Sequence, residues 1–184
     1  PASVYEKGAP LAPPWIYEHS LPVLGICYGM QVLVHQLGGE VAPSRKREYG
    51  HAVLRRSTTN HPLFKSLDSE IPVWMSHADQ IIAPPPGFTE LAYTENSPVA
   101  AIGNEQGILG IQFHPEVAHT PNGKTIIDNF IHDICGCKEF WTPANFVANA
   151  IQSIRDQVME GKVVCALSGG VDSAVAATLV HKAV

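Results

Sequence analysis

A cysteine with a glycine two positions away on either side, Gly25-Ile26-Cys27-Tyr28-Gly29, closes the apolar run "VLGI". G-x-C-x-G is the thiol counterpart of the nucleophile elbow, in which a reactive side chain is held on a tight strand-to-helix turn. The glycines leave room for the turn and for a substrate, and the positive end of the following helix favours thiolate. An ordinary thiol is only a few per cent ionised at neutral pH, so a base must come from elsewhere. "FHPE" supplies one: His114 follows another apolar run, and Glu116 lies two residues on. Imidazole beside the sulfur, with carboxylate behind the imidazole, is an arrangement for nucleophilic attack on an acyl group. The ordinary alternative is a cysteine packed as a small hydrophobe and a histidine closing a loop. Two such motifs, each just past a predicted strand, favour the catalytic reading.

These residues need an α/β frame. "VLGI" reads as a buried strand, residues 28–37 as a helix, and Gly38-Gly39 as its stop. "HAVLRRS", "IPVWMSH", "FTELAYT", "PVAAIGN" and "GILGIQF" read as strands, separated by turns such as "TTNHP" and "APPPGF". "NGKTIIDNFIHDIC" has helical spacing, with Ile126, Ile127, Phe130, Ile131 and Ile134 on one face. The organisation changes near "GCKEFWTP". A helix from about 144 to 159 follows, then a strand "KVVCAL", a small-residue loop "SGGVDS" and a helix "AVAATLVHKAV". Residues 1–137 therefore read as one domain, and residues 138–184 as a linker helix with the opening of another α/β domain. The start at "PASVYE", without methionine, reads as a break inside a longer protein.

The totals suit one domain with a sizeable core and part of another. The chain has 184 residues, a formal charge of −5, 45% hydrophobic and 16% charged residues. No basic block suggests nucleic acid, and no apolar run approaches a bilayer span. Of the four cysteines, Cys135 and Cys137 lack the two-residue spacer of a redox or zinc motif. They read as structural thiols of a reducing cytosol. His19, His35, His51, His61, His119, His132 and His181 read as surface or packing residues, and His77 as structural.

"GICYGMQ" with the distant "FHPE" resembles the class I, or triad, glutamine amidotransferases. The resemblance implies their α/β fold, a mixed and mainly parallel central sheet flanked by helices. It implies Cys27 as nucleophile, His114 as general base and acid, and Glu116 as orienting carboxylate. Glutamine is the implied substrate, with Gln31 touching it and the Tyr28 N–H forming half of an oxyanion hole. The other half is expected from a glycine loop immediately before Pro1. "VWMSHADQI" matches the segment whose main chain lines the glutamine pocket, at Ser76, Ala78 and Asp79. Relatives commonly carry glycine where Ala78 stands.

"VVCALSGGVDSAVAATLV" resembles the phosphate loop of ATP-pyrophosphatase domains, with Ser168, Gly169, Gly170, Val171, Asp172 and Ser173 in its fixed positions. Backbone N–H groups of such a loop close around phosphate oxygens at a helix N-terminus. Ser168 and Ser173 can donate hydroxyls, and Asp172 is a candidate Mg²⁺ contact. It is not a Walker A loop, since G-K-[ST] is missing. A triad glutaminase ahead of such a loop resembles the synthetases that use glutamine, ATP and Mg²⁺ to aminate xanthosine 5′-phosphate to GMP. These are cytoplasmic enzymes and dimers when full-length. Two other readings stand beside it. One is a glutaminase serving carbamoyl phosphate or anthranilate synthesis, against which "SGGVDS" argues. The other is a non-catalytic docking module of the same fold, against which the intact triad argues.

Overall fold

In the computed structural model, which describes residues 3–58, 60–138 and 142–184, the run "VLGI" forms a strand, β1 (Val23–Ile26). The helix α2 (Tyr28–Gln36) follows directly, after a short α1 (Trp15–Glu18) in the proline-rich entry. Gly25 lets α2 lie against its own strand. A Cβ there would stand 2.7 Å from the Gly29 carbonyl and 2.9 Å from the Met30 nitrogen. The helix stops where Leu37 N–H returns to the Leu33 carbonyl and Gly38 turns at φ +89°.

Five strands complete the sheet: β2 (Glu40–Arg56), β3 (Glu70–Ala83), β4 (Thr89–Tyr93), β5 (Ala101–Gly103) and β6 (Ile108–Ile111). Their order is β1-β6-β5-β4-β2-β3. Only the β1–β6 pair is parallel, whereas β2–β3, β2–β4, β4–β5 and β5–β6 are antiparallel. The expectation of a mainly parallel sheet is thereby corrected for this chain. Parallel neighbours need a long crossover, whereas the short links from β4 to β5 and from β5 to β6 reverse the chain between neighbours. β2 also begins far earlier than "HAVLRRS", because proline and charge hide the strand pattern of "VAPSRKREYG".

The apolar side chains gather in two clusters. Met30, Leu33 and Val34 of α2 pack with Ile81, Ile102 and Ile108. Leu54, Ile71, Val73, Met75, Leu109, Ile111 and Phe113 form the other cluster, covered by Phe64 and by Ile126 of α3 (Gly123–Asn129). A π-helical turn, Phe130–Ile134, continues α3.

The chain divides at Cys137, and Lys138–Val184 is a separate unit. It contains α4 (Pro143–Val158) and α5 (Val171–Ala183). Arg155 donates to the Ala183 and Lys182 carbonyls at 2.9 and 3.1 Å, closing the end of α5. The strand expected at "KVVCAL" does not form: a strand needs a laddered partner, and among the described residues of this unit there is none. Helix α5 also begins at Val171 rather than 174, so Asp172 and Ser173 lie in its first turn. The turn at "TTNHP" includes residue 59 and the junction at "GCKEFWTP" includes residues 139–141, which lie outside the described residues.

Candidate active site

The parallel pairing decides where the chemistry can occur. Ile26 stands beside Ile111, and Cys27 N–H donates to the Ile111 carbonyl at 2.8 Å. The residues after both strands, Cys27 on one and Gln112 to His114 on the other, therefore emerge at the same sheet edge. Carboxyl ends of parallel strands are where open α/β sheets bind ligands.

Cys27 holds φ 51° and ψ −106°, a costly conformation for a residue with a side chain. Strand pairing behind it and α2 ahead of it enforce the turn. The thiol donates to the Ser76 carbonyl at 3.7 Å and accepts from Gln112 Nε2 at 3.7 Å. Burial pushes its pKa up, and the charge of Glu116 adds to that, against the Tyr28 N–H and the Gln112 amide, which favour thiolate. The helix end alone thus does not give a resting thiolate.

His114 Nδ1 is 2.6 Å from Glu116 Oε1, so the N–H on that nitrogen meets a carboxylate and the other nitrogen is left for proton transfer. Its backbone is clamped from two sides. His114 N–H donates to the Trp74 carbonyl of β3 at 3.0 Å, and Thr120 Oγ1 donates to the His114 carbonyl at 2.6 Å. Thr120 also accepts from the Trp74 N–H at 3.0 Å. Gly123 closes the loop, since a Cβ there would collide with the Pro115 carbonyl. Among the described residues, no hydrogen bond joins the sulfur to His114; the two groups share an edge and are separately braced.

The residues expected to line a glutamine pocket, Ser76, Ala78 and Asp79, fall along β3. Ser76 presents its carbonyl to the sulfur. Ala78 stands where the β2–β3 ladder breaks, between the pairs Glu48–His77 and Pro43–Asp79, and has no cross-strand partner. The Asp79 carboxylate accepts from the Tyr5 hydroxyl at 2.9 Å, and its carbonyl from Gln31 Nε2 at 3.3 Å. Gln31 is buried and donates also to Gln112 Oε1 at 3.3 Å. Sequence reasoning missed Gln112, Thr120, Gly123 and Tyr5. Gln112 alone left a signal, as a polar residue inside the otherwise apolar "GILGIQF".

The phosphate-loop candidates lie in the second unit and are exposed, except for the half-buried Ser173. Ser168 Oγ donates to Ser173 Oγ at 3.1 Å, Ser173 Oγ to the Gly170 carbonyl at 2.9 Å, and Gly169 turns at φ +82°. Glycine backbone N–H groups and two hydroxyls at the start of α5 are donors suited to phosphate oxygens, and the one carboxylate suits a cation instead. With Asp172 as the sole carboxylate of the loop, a Mg²⁺ there would take most of its ligands from phosphate and water. Among the described residues, no group of three or more His, Cys, Asp or Glu side chains could hold a metal.

Residues 1–134 match the family described as glutamine amidotransferase class-I. Over all 184 residues the chain is 60% identical to the glutamine-hydrolysing GMP synthase of Dehalococcoides mccartyi, covering 34% of that protein. It is 55% identical to the enzyme of the same name from Thermomicrobium roseum, again over its whole length and 34% of the relative. The chain thus spans about a third of the curated relatives it matches. The solved structure of a candidate GMP synthase component from Thermoplasma acidophilum superposes with a TM-score of 0.62 at 36% identity, covering 66% of this chain and 61% of that one.

Proposed function

Because the chain belongs to the class-I glutamine amidotransferase family, we propose that it is the glutaminase part of a GMP synthase, releasing ammonia from glutamine for the amination of xanthosine 5′-phosphate. The observation that carries this reading is the β1–β6 pairing, which brings Cys27 and the His114–Glu116 pair to one strand end. The likeness to GMP synthases over this chain's whole length, about a third of theirs, supports xanthosine 5′-phosphate as the acceptor.

In this mechanism His114 accepts the thiol proton as Cys27 Sγ attacks the carboxamide carbon of glutamine. Glu116 holds the ring and stabilises its cation. The Tyr28 N–H, at the start of α2, faces the oxygen that becomes negative. As the C–N bond breaks, His114 returns its proton to the leaving ammonia. Water then attacks the thioester, giving its proton to His114. The C–S bond breaks, and glutamate leaves as the sulfur is reprotonated. Burial that keeps the resting thiol protonated limits side reactions until a substrate arrives.

The second unit is read as the entrance of the ATP-pyrophosphatase domain. Ser168 to Ser173 would hold ATP phosphates, with Asp172 directed to Mg²⁺. The metal would neutralise phosphate charge while ATP activates the purine 2-oxygen and pyrophosphate departs. A dimeric, cytosolic enzyme is part of the same reading, supported by the likeness to GMP synthases and by free Cys27, Cys135, Cys137 and Cys165.

The test uses the full-length polypeptide. Cys27→Ala lowers glutamine-dependent GMP formation by about 10⁴-fold or more while leaving formation from free ammonia intact. Asp172→Ala lowers both. Normal glutamine use by the Cys27 variant would overturn the nucleophile, and an unchanged ammonia-dependent rate in the Asp172 variant would overturn the phosphate loop.

A further inference from the structure

Behind the wall that carries Ser76 to Asp79 lies a closed polar cluster that the mechanism does not use. Glu48 of β2, His77 of β3, and Thr94 and Ser97 from the link between β4 and β5 are each more than nine-tenths buried. Thr94 Oγ1 donates to both carboxylate oxygens of Glu48, at 2.9 and 3.1 Å, and Ser97 Oγ donates to one of them at 2.7 Å. Ser97 N–H returns to Thr94 Oγ1 at 3.0 Å, tying the link into a turn. His77 Nε2 faces Glu48 Oε2 and Ser97 Oγ, each at 3.3 Å. His77 Nδ1 lies 2.8 Å from the Asp79 carbonyl. A carbonyl and a carboxylate both only accept, so Nδ1 presents a hydrogen to Asp79 and Nε2 is the end that can donate toward Glu48.

The cluster sits where the β2–β3 ladder is broken. Between the pairs Pro43–Asp79 and Glu48–His77, several β2 residues face the single β3 residue Ala78. A bulge of this kind leaves backbone without ladder bonds and re-aims the strand. At that place His77 reaches around Ala78 to the next carbonyl along its own strand, a bond stronger by distance than the 3.3 Å contact from Gln31. Glu48 in turn fixes the ring.

We propose that His77, set by Glu48, is a positioning residue for glutamine: its Nδ1–H holds the Asp79 carbonyl so that the main chain at Ser76 to Asp79 keeps a preformed pocket wall at an unladdered bulge. The proposal rests on the glutaminase reading and deepens it. Removing the bond frees the wall at its Asp79 end, whereas the sulfur is met by the Ser76 carbonyl at the other end, so the loss falls on glutamine binding more than on turnover.

The two amides that mimic opposite ends of imidazole separate this role from simple packing. His77→Asn places an N–H near Nδ1, toward Asp79, and loses the Glu48 end. His77→Gln keeps a donor near Nε2, toward Glu48, and loses the Asp79 end. In the full-length polypeptide, His77→Gln raises KM for glutamine by about tenfold with kcat within about twofold, whereas His77→Asn stays within about threefold on both. A purely structural role would lower the unfolding midpoint in both variants without that KM split. Equal KM in the two variants, or a loss confined to kcat, overturns the proposal. Should His77→Gln fail to fold, Glu48→Gln, which keeps the shape and removes the charge, must raise KM by about threefold, and an unchanged KM overturns the proposal. The parallel Cys27→Ala control distinguishes the failures. Glutamine hydrolysis that survives it sinks the glutaminase reading, whereas hydrolysis that depends on Cys27 but shows no split between the His77 variants sinks this inference alone.

Discussion

The elbow around Cys27 and the loop from Ser168 to Ser173 carry equally recognisable motifs, yet they are built in opposite ways. The elbow is determined by residues distant in sequence. Its backbone bonds to Ile111, and its sulfur meets Ser76 and Gln112. The loop is determined by itself, with the hydroxyls of Ser168 and Ser173 joined to one another and to Gly170. Strain at φ 51° survives in the elbow because surrounding strands leave no alternative. The loop uses a glycine for its one left-handed residue, at φ +82°. A strained, crowded turn holds its side chain in one place before anything binds. A locally closed, exposed turn keeps its polar groups bonded to one another.

The largest expected effect tests this contrast by adding one methyl group to each region. In Gly25→Ala the new carbon would lie 2.7 Å from backbone of Gly29, so α2 must move away from β1. Overpacking of this kind costs about 3 kcal/mol, and displacement of the nucleophile lowers glutaminase turnover by about 10²-fold. In Gly170→Ala the nearest atom is Ser168 Oγ at 3.5 Å, an ordinary contact, and φ is −79°. Its unfolding free energy stays within about 0.5 kcal/mol of wild type. Denaturant unfolding of both variants checks the pair. Equal costs would mean that the elbow is no more constrained than the loop.

A smaller effect distinguishes the thiols. Burial, with the Glu116 charge behind it, displaces the ionisation of Cys27 to higher pH. Because thiolate is the form that alkylates, the Cys27 rate in the substrate-free protein rises with pH along a curve shifted above that of an ordinary thiol. At neutral pH the exposed Cys137 and Cys165 label before Cys27. Peptide mapping after brief iodoacetamide treatment across the pH range reads the order directly. Cys27 labelling first at neutral pH would show a resting thiolate and refute the account of its burial.

How much of this was legible follows the same division. Cys27, His114 and Glu116 could be picked out because their motifs are short and contiguous. Gln112, Thr120 and Gly123 act through partners chosen by strand register, which no local pattern reveals. His77 left a usable trace. Along β3 the inward positions run Ile71, Val73, Met75, His77, Asp79, Ile81, so two polar residues occupy the apolar phase and demand buried partners. Glu48, the partner of His77, was hidden, since proline and charge mask the strand pattern of "VAPSRKREYG". Strand direction was also illegible, because half-buried strands alternate alike in either sense. "KVVCAL" failed for the converse reason: its composition suits a strand, but composition cannot supply the neighbour.

The smallest expected effect asks whether self-contained construction extends through the second unit. Helix α4 begins at Thr142, whose φ −127° and ψ 156° are extended and whose Oγ1 accepts from the Asn145 N–H at 3.0 Å, with Pro143 filling the first helical position. Thr142→Ala removes that acceptor and costs about 1 kcal/mol, expressed as roughly fivefold faster amide exchange. The change is confined to the first turn, because Arg155 secures the carbonyls of Lys182 and Ala183 from the far end of α4. Thr142→Ser, which keeps the oxygen, restores the rate. A loss that spread along both α4 and α5 would show cooperative coupling like that of the elbow, and the distinction between the two kinds of region would fail.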